Sequence, residues 1–174
     1  MRSETTKAKL EKFMAELGRR VHGAGRIYFT GGATALLHNW RPMTIDIDLK
    51  PDPEPPGIFE ALAVLKDELD INVELASPDQ FIPPLQGWRE RSLFIARHGP
   101  LEFFHYDLYS QALSKLQRGH PRDLVDVQSM RRDGLIQPGE LRAMFDRIEP
   151  LLLRYPAIDP ASFRAAVFKF CQSA

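Results

Sequence analysis

The stretch YFTGGATALLHNWRPMTIDIDL, Tyr28 to Leu49, constrains the fold more than any other part of the chain. An apolar, β-rich run ends in two glycines, a short helical pattern follows, and the next apolar run carries Asp46 and Asp48. On a strand, residues two apart point to the same face with Cα atoms about 6.5–7 Å apart. Ile45, Ile47 and Leu49 are then expected to face the core. Two carboxylates on one face repel, by about 4 kcal/mol at roughly 4 Å separation and an effective dielectric near 20. A divalent cation compensates such a pair, and Mg²⁺ favours one or two carboxylates plus substrate phosphate oxygens. A solvated acidic strand edge, or neutralisation by Arg41, are the other readings of the pair.

Gly31 and Gly32 lie where a strand gives way to a helix. Without Cβ atoms they let backbone N–H groups approach a ligand, and the start of the following helix favours negative charge. Tight chain reversal explains many such pairs equally well. No Gly-Lys-Ser or Gly-Lys-Thr follows, which excludes a Walker-type loop, and there is no third glycine at dinucleotide-fold spacing. Glycine pair and aspartate pair together favour a site for phosphate and metal.

Elsewhere the pattern predicts an alternation. Leu10, Phe13, Met14 and Leu17 recur at helical spacing among lysines and glutamates, so the first long element is an amphipathic helix. After the central stretch and the proline-rich KPDPEPPG, a helix is expected over IFEALAVLKDEL, with Phe59, Leu62, Leu65 and Leu69 inward. INVELA reads as a third strand. SPDQFIPPLQGW is an ordered loop or single turn, and SLFIAR and LEFFHYDLY form a hairpin about HGP. The remainder is helical: SQALSKLQRG, PRDLVDVQSMRRDG, PGELRAMFDRIEPLLLRY and PASFRAAVFKFCQ, each opened by Ser or Pro. The expected class is α/β (α+β), a mixed sheet packed with helices. Residues 1–130 are expected to form its domain, and 131–174 a helical extension packed on it.

The composition narrows the function. Lysine plus arginine equals aspartate plus glutamate, 23 each, so no global field draws the protein to nucleic acid or to an acidic membrane. WRER and RRDG are too short to serve as nucleic-acid patches. A single cysteine, Cys171, cannot form an internal disulfide, and no run of 18 apolar residues or signal-peptide core is present. A cytoplasmic protein is expected. The five histidines show no zinc-ligand spacing, and nothing resembles a nucleophile elbow.

GGATALLHNWRPMTIDIDL resembles the signature of the nucleotidyltransferase fold of the DNA polymerase β superfamily. Arg41 and Thr44 before DIDL, and ALSKLQRGHPRDLVDV downstream, are similar to the nucleotidyltransferase-like toxins of abortive-infection type IV systems. The resemblance implies a nucleotidyltransferase-like sheet domain and transfer of a nucleoside monophosphate from a nucleoside triphosphate to a hydroxyl on RNA, protein or a small molecule. It implies Mg²⁺ (or Mn²⁺) on Asp46 and Asp48, with Gly31, Gly32, Thr34, Arg41, Lys115 and Arg122 at the nucleotide, and an antitoxin as partner. Such enzymes carry a third carboxylate on a later strand, as general base or metal ligand. Asp107 is preferred for that catalytic and metal-binding role; Glu102 lies on the opposite strand face, and His105 is another candidate base. Asp107 can equally cap the helix that carries Lys115. A nucleotidyltransferase fold that has lost its chemistry and only binds a nucleotide or partner is the alternative.

Overall fold

The computed structural model describes residues 2–173. In chain order, β1 is Thr5–Thr6, α1 Lys7–Arg20, β2 Gly25–Thr30, α2 Gly31–Leu37, β3 Met43–Thr44 and β4 Asp46–Pro51. Then come α3 Ile58–Glu68, β5 Asn72–Leu75, a 3₁₀ turn at Pro78–Gln80 and α4 Trp88–Arg91. The hairpin strands are β6 Leu93–His98 and β7 Leu101–His105. The helices α5 Leu108–Arg118, α6 Pro121–Arg132, α7 Pro138–Ile148 and α8 Pro160–Gln172 complete the chain, with a 3₁₀ segment Glu149–Arg154 after α7. This is a mixed α/β fold with a C-terminal helical segment, as the sequence pattern predicts. No helix among the described residues is long and apolar enough to cross a membrane.

The chain divides into two compact units. One comprises the residues up to Ser77 together with Ser92–Tyr106, the other Pro78–Arg91 and everything from Asp107 onward. The first unit holds a five-stranded sheet in the order β5-β4-β2-β7-β6. β2 pairs antiparallel with β4 and parallel with β7, β4 pairs parallel with β5, and the β6–β7 hairpin is antiparallel with a bulge between Phe94 and Ala96. α1 starts where the Thr6 hydroxyl accepts from the Lys9 N–H at 3.3 Å, an N-cap that satisfies one orphan donor of the first turn.

The expected α1 stripe of Leu10, Phe13, Met14 and Leu17 is buried, against one sheet face made by Ile27, Phe29, Ile47, Leu49, Leu101 and Phe103. Phe29 and Phe103 stack at 5.8 Å. Each such side chain contributes about 1.5–3 kcal/mol on burial, so this layer holds β2, β4 and β7 in place beneath the opposite face.

Two expected core positions are displaced. Ile45 is 55% exposed, because the chain bends there: Met43 and Thr44 leave the main sheet and pair with Thr6 and Thr5 of β1. The Thr44 hydroxyl secures the bend by donating to the Asp46 carbonyl at 3.1 Å. On α3, Phe59 is 48% exposed while Ile58, Ala61, Leu62 and Leu65 are buried. The stripe of α3 begins one residue earlier than the aromatic ring advertises.

The second unit is built from α5 to α8 with α4 and the 3₁₀ turn. α5 opens at Leu108 rather than at Ser110, because Asp107 caps it: its carboxylate accepts from the Tyr109 and Ser110 N–H groups, both at 3.3 Å. Phe145 and Phe163 meet edge to face at 4.9 Å, joining α7 to α8.

Candidate active site

The sheet face opposite the apolar layer carries the unusual residues. Side chains in register on neighbouring strands share a face. Thr30 of β2 is in register with Asp48 of β4, and Asp46 and Asp48 are in register with Asn72 and Glu74 of β5. Three carboxylates, Asp46, Asp48 and Glu74, therefore project from one face, with strands about 4.8 Å apart. Asp46 and Asp48 are half-buried and Glu74 is exposed. The Asn72 amide ties two of them together: its Nδ2 donates to Asp46 Oδ1 at 2.5 Å and to Glu74 Oε1 at 3.2 Å.

The glycine pair meets this face directly. Gly31 has φ +57°, and a Cβ there would stand 2.8 Å from Asp48 Oδ2. Only a residue without a side chain lets α2 begin this close to the carboxylate. A Cβ on Gly32 would run into the Thr44 hydroxyl. The two glycines thus set α2 against the start of β4, with the Asp48 carboxylate in the space that Gly31 leaves open.

The donor set on this face fits a divalent cation brought by a ligand. Among the described residues no three His, Cys, Asp or Glu side chains gather closely enough to hold an ion by themselves. Mg²⁺ uses one or two carboxylates and completes its shell with phosphate oxygens and water. Asp46 and Asp48 supply that pair of hard oxygen donors on half-buried strand positions.

The other residues singled out in the sequence occupy different surroundings. Thr34 is fully buried on α2, where its hydroxyl donates to the Phe29 carbonyl at 3.2 Å and meets His105 Nδ1 at 3.2 Å. Arg41 is half-buried between α2 and β3. His105 is in register with Phe29, which puts it on the apolar side of the sheet. Burial, and secondarily the neighbouring His38, pushes its imidazole down to about 3. Glu102 is engaged by Arg26 at 3.2 Å and Arg97 at 3.3 Å.

Asp107, Lys115 and Arg122 belong to the second unit. Beyond its capping bonds, Asp107 accepts from the Ser110 hydroxyl at 2.7 Å and is clamped by Arg91, Nε to Oδ1 at 3.1 Å and Nη2 to Oδ2 at 2.9 Å. The Lys115 ammonium is buried between Asp123 Oδ1 at 3.0 Å and Asp126 Oδ2 at 2.7 Å, and Arg118 donates to the same Asp123 oxygen at 3.0 Å. Arg122 lies exposed in the first turn of α6.

Glu74 was not among the sequence candidates. The signal was present in INVELA, where a carboxylate interrupts an apolar strand pattern as it does in DIDL, but only the parallel register of β4 and β5 sets it beside Asp48. No curated protein and no solved structure matches the chain. A family profile does, over residues 8–172, and it takes in both the carboxylate face and the helices that follow. The chain belongs to that family, DUF6036, described as nucleotidyltransferases of unknown function.

Proposed function

We propose that this protein is a metal-dependent nucleotidyltransferase that binds a nucleoside triphosphate on the face of Asp46, Asp48 and Glu74 and transfers its nucleoside monophosphate to a hydroxyl acceptor. The observation that carries the reading is the register of β4 with β5, which gathers three carboxylates on one face beside the glycine pair that opens α2. Mg²⁺ or Mn²⁺ bound there would neutralise triphosphate charge and align an in-line displacement at phosphorus.

Asp46 and Asp48 are the metal ligands in this reading. Gly31 and Gly32 bring the start of α2 against Asp48 and Thr44, and by resemblance the phosphates lie at this helix start, where the first-turn N–H groups favour negative charge. Glu74, exposed beside Asp48, takes the place for which Asp107 was the sequence candidate: it accepts the proton of the attacking hydroxyl. Asn72 positions this base, since its amide spans Asp46 and Glu74. Arg41 is assigned to the phosphates, and Arg122 to the nucleotide by resemblance alone. For Lys115 and Asp107 the observed partners support work inside the helical unit instead. RNA, protein and small-molecule hydroxyls all satisfy the acceptor chemistry; the likeness of GGATALLHNWRPMTIDIDL to the nucleotidyltransferase signature supports membership of the DNA polymerase β superfamily, and the likeness of Arg41, Thr44 and ALSKLQRGHPRDLVDV to the abortive-infection toxins supports a role beside an antitoxin.

Calorimetric titration of each nucleoside triphosphate, with and without Mg²⁺, tests the reading on the wild type and on the Asp46→Asn/Asp48→Asn double variant. The expected result is Mg²⁺-dependent binding weakened at least about 100-fold in the variant, worth about 2.7 kcal/mol, with an unchanged circular dichroism spectrum. Metal-independent binding, or binding that survives the double change, overturns the metal-site assignment. Binding without transfer to any acceptor would leave a nucleotide-binding protein that has lost its chemistry.

A further inference from the structure

Thr30 ends β2 immediately before the glycine pair and is in register with Asp48 across the antiparallel ladder. Residues directly opposite in such a ladder hold their Cβ atoms about 4.5–5.5 Å apart on one face. Gly31, the next residue, has φ +57° and leaves the space in which Asp48 Oδ2 lies. The Thr30 side chain therefore stands beside the Asp48 carboxylate, within the first unit. Thr30 is 7% exposed.

The state of its hydroxyl sets Thr30 apart. The residue holds the cap position of α2, with φ −133° and ψ 177°, yet makes no capping bond, where threonine ordinarily accepts from an N–H of the first turn. Among the described residues the hydroxyl has no other hydrogen-bond partner, and it is not one of the buried polar atoms sealed from solvent. Neighbouring threonines are engaged by the fold: Thr34 donates to the Phe29 carbonyl and Thr44 to the Asp46 carbonyl. Valine matches threonine in shape and would fill this place without the desolvation cost of an unpaired hydroxyl. A hydroxyl more than nine-tenths buried, unbonded and beside Asp48 is suited to a ligand atom.

We infer that the Thr30 hydroxyl donates a hydrogen bond to an oxygen of the triphosphate chain. The inference rests on the nucleotide-site reading and adds to it a side chain that holds the phosphates from β2. Mg²⁺ keeps its oxygen ligands at about 2.0–2.1 Å, so a phosphate oxygen that shares the ion with Asp48 lies about 3 Å from the carboxylate oxygen. That is within the span across which Thr30 faces Asp48. Phosphate oxygens only accept, and the hydroxyl has one proton to give. Gly31 and Gly32 carry no side chain that could do the same.

Inorganic tripolyphosphate with Mg²⁺ is the probe, because it carries the phosphates without sugar or base. Calorimetric titration is expected to show binding at least about tenfold weaker in Thr30→Val, the loss of one hydrogen bond to a charged group. Thr30→Ser, which returns the hydroxyl, should bind within about twofold of the wild type. Urea denaturation without ligand should find Thr30→Val at least as stable as the wild type, since no bond of the fold is lost. Equal affinity in the wild type and Thr30→Val, failure of Thr30→Ser to restore binding, or a clear loss of stability in ligand-free Thr30→Val overturns the inference. So does a wild type that binds no tripolyphosphate. Asp46→Asn/Asp48→Asn, titrated alongside, separates the two readings: if it abolishes binding and Thr30→Val does not, the role of Thr30 alone fails.

Discussion

The chain assembles aspartates and their neighbours in two ways. On β4 and β5 the carboxylates Asp46, Asp48 and Glu74 share an accessible face, and the neutral amide of Asn72 links two of them. Between α5 and α6, Asp123 and Asp126 are buried with Lys115 between them and Arg118 at the edge, so two negative charges meet two positive ones. The first arrangement is open to solvent. The second is neutral and closed. The same side-chain chemistry is therefore open to solvent in one unit and an internal tie in the other, and burial makes the distinction.

Removing the cation from the closed cluster should give the largest effect on stability. Lys115→Met preserves the aliphatic stem but removes the cation held between two buried carboxylates, leaving Arg118 on Asp123 at the edge, and breaking a buried pair from one side costs about 3–5 kcal/mol. Urea denaturation should show that loss. A cost below about 1 kcal/mol would mean that the cluster is open to water and that Lys115 is available to a ligand after all.

A smaller loss is expected where α2 meets the open face. Gly31→Ala places a Cβ against Asp48 Oδ2 and holds an L residue at φ +57°, for which about 1–2 kcal/mol is the ordinary cost of left-handed backbone. Because the added methyl displaces the carboxylate, Mg²⁺-dependent triphosphate affinity should fall by more than the stability loss alone explains. Calorimetry alongside urea denaturation separates the two effects, and unchanged affinity would detach the glycine from the site.

Local pattern made much of this architecture legible. The 3.6-residue stripe of α1, the strand-glycine-helix-strand order about Gly31 and the β6–β7 hairpin are written in short windows, and packing upholds them. What depends on distant pairing was not legible. Ile45 alternates correctly with Ile47 and Leu49, yet the pairing of Thr5 with Thr44 bends the chain and exposes it. Phe59 is the largest side chain on α3, but helix phase buries Ile58 instead. Glu74 became visible only through strand register. The resemblance sets Lys115 at the nucleotide, and only the packing of α6 on α5 shows Asp123 and Asp126 against its ammonium. Sequence identifies the residue types that carry chemistry, while tertiary pairing decides which remain available for it.

The smallest change in stability should come from the open face itself, and its sign is the informative part. Asp48→Asn retains the shape and acceptor oxygen of the side chain and removes one of three like charges. Asp48 is half-buried and its neighbour in register, Glu74, is exposed, so solvent screens much of the repulsion and relief of it should be worth under about 1 kcal/mol. Without divalent cation the variant is expected to be as stable as the wild type or slightly more so. Addition of Mg²⁺ with a triphosphate should then reverse the order, since a ligand that binds only the folded wild type stabilises it by mass action. Thermal melts under the two conditions give the crossing directly. A variant that is clearly destabilised without metal would show that Asp48 is bound into the fold as firmly as Asp126, and the contrast between the two regions would fail at the residue on which it most depends.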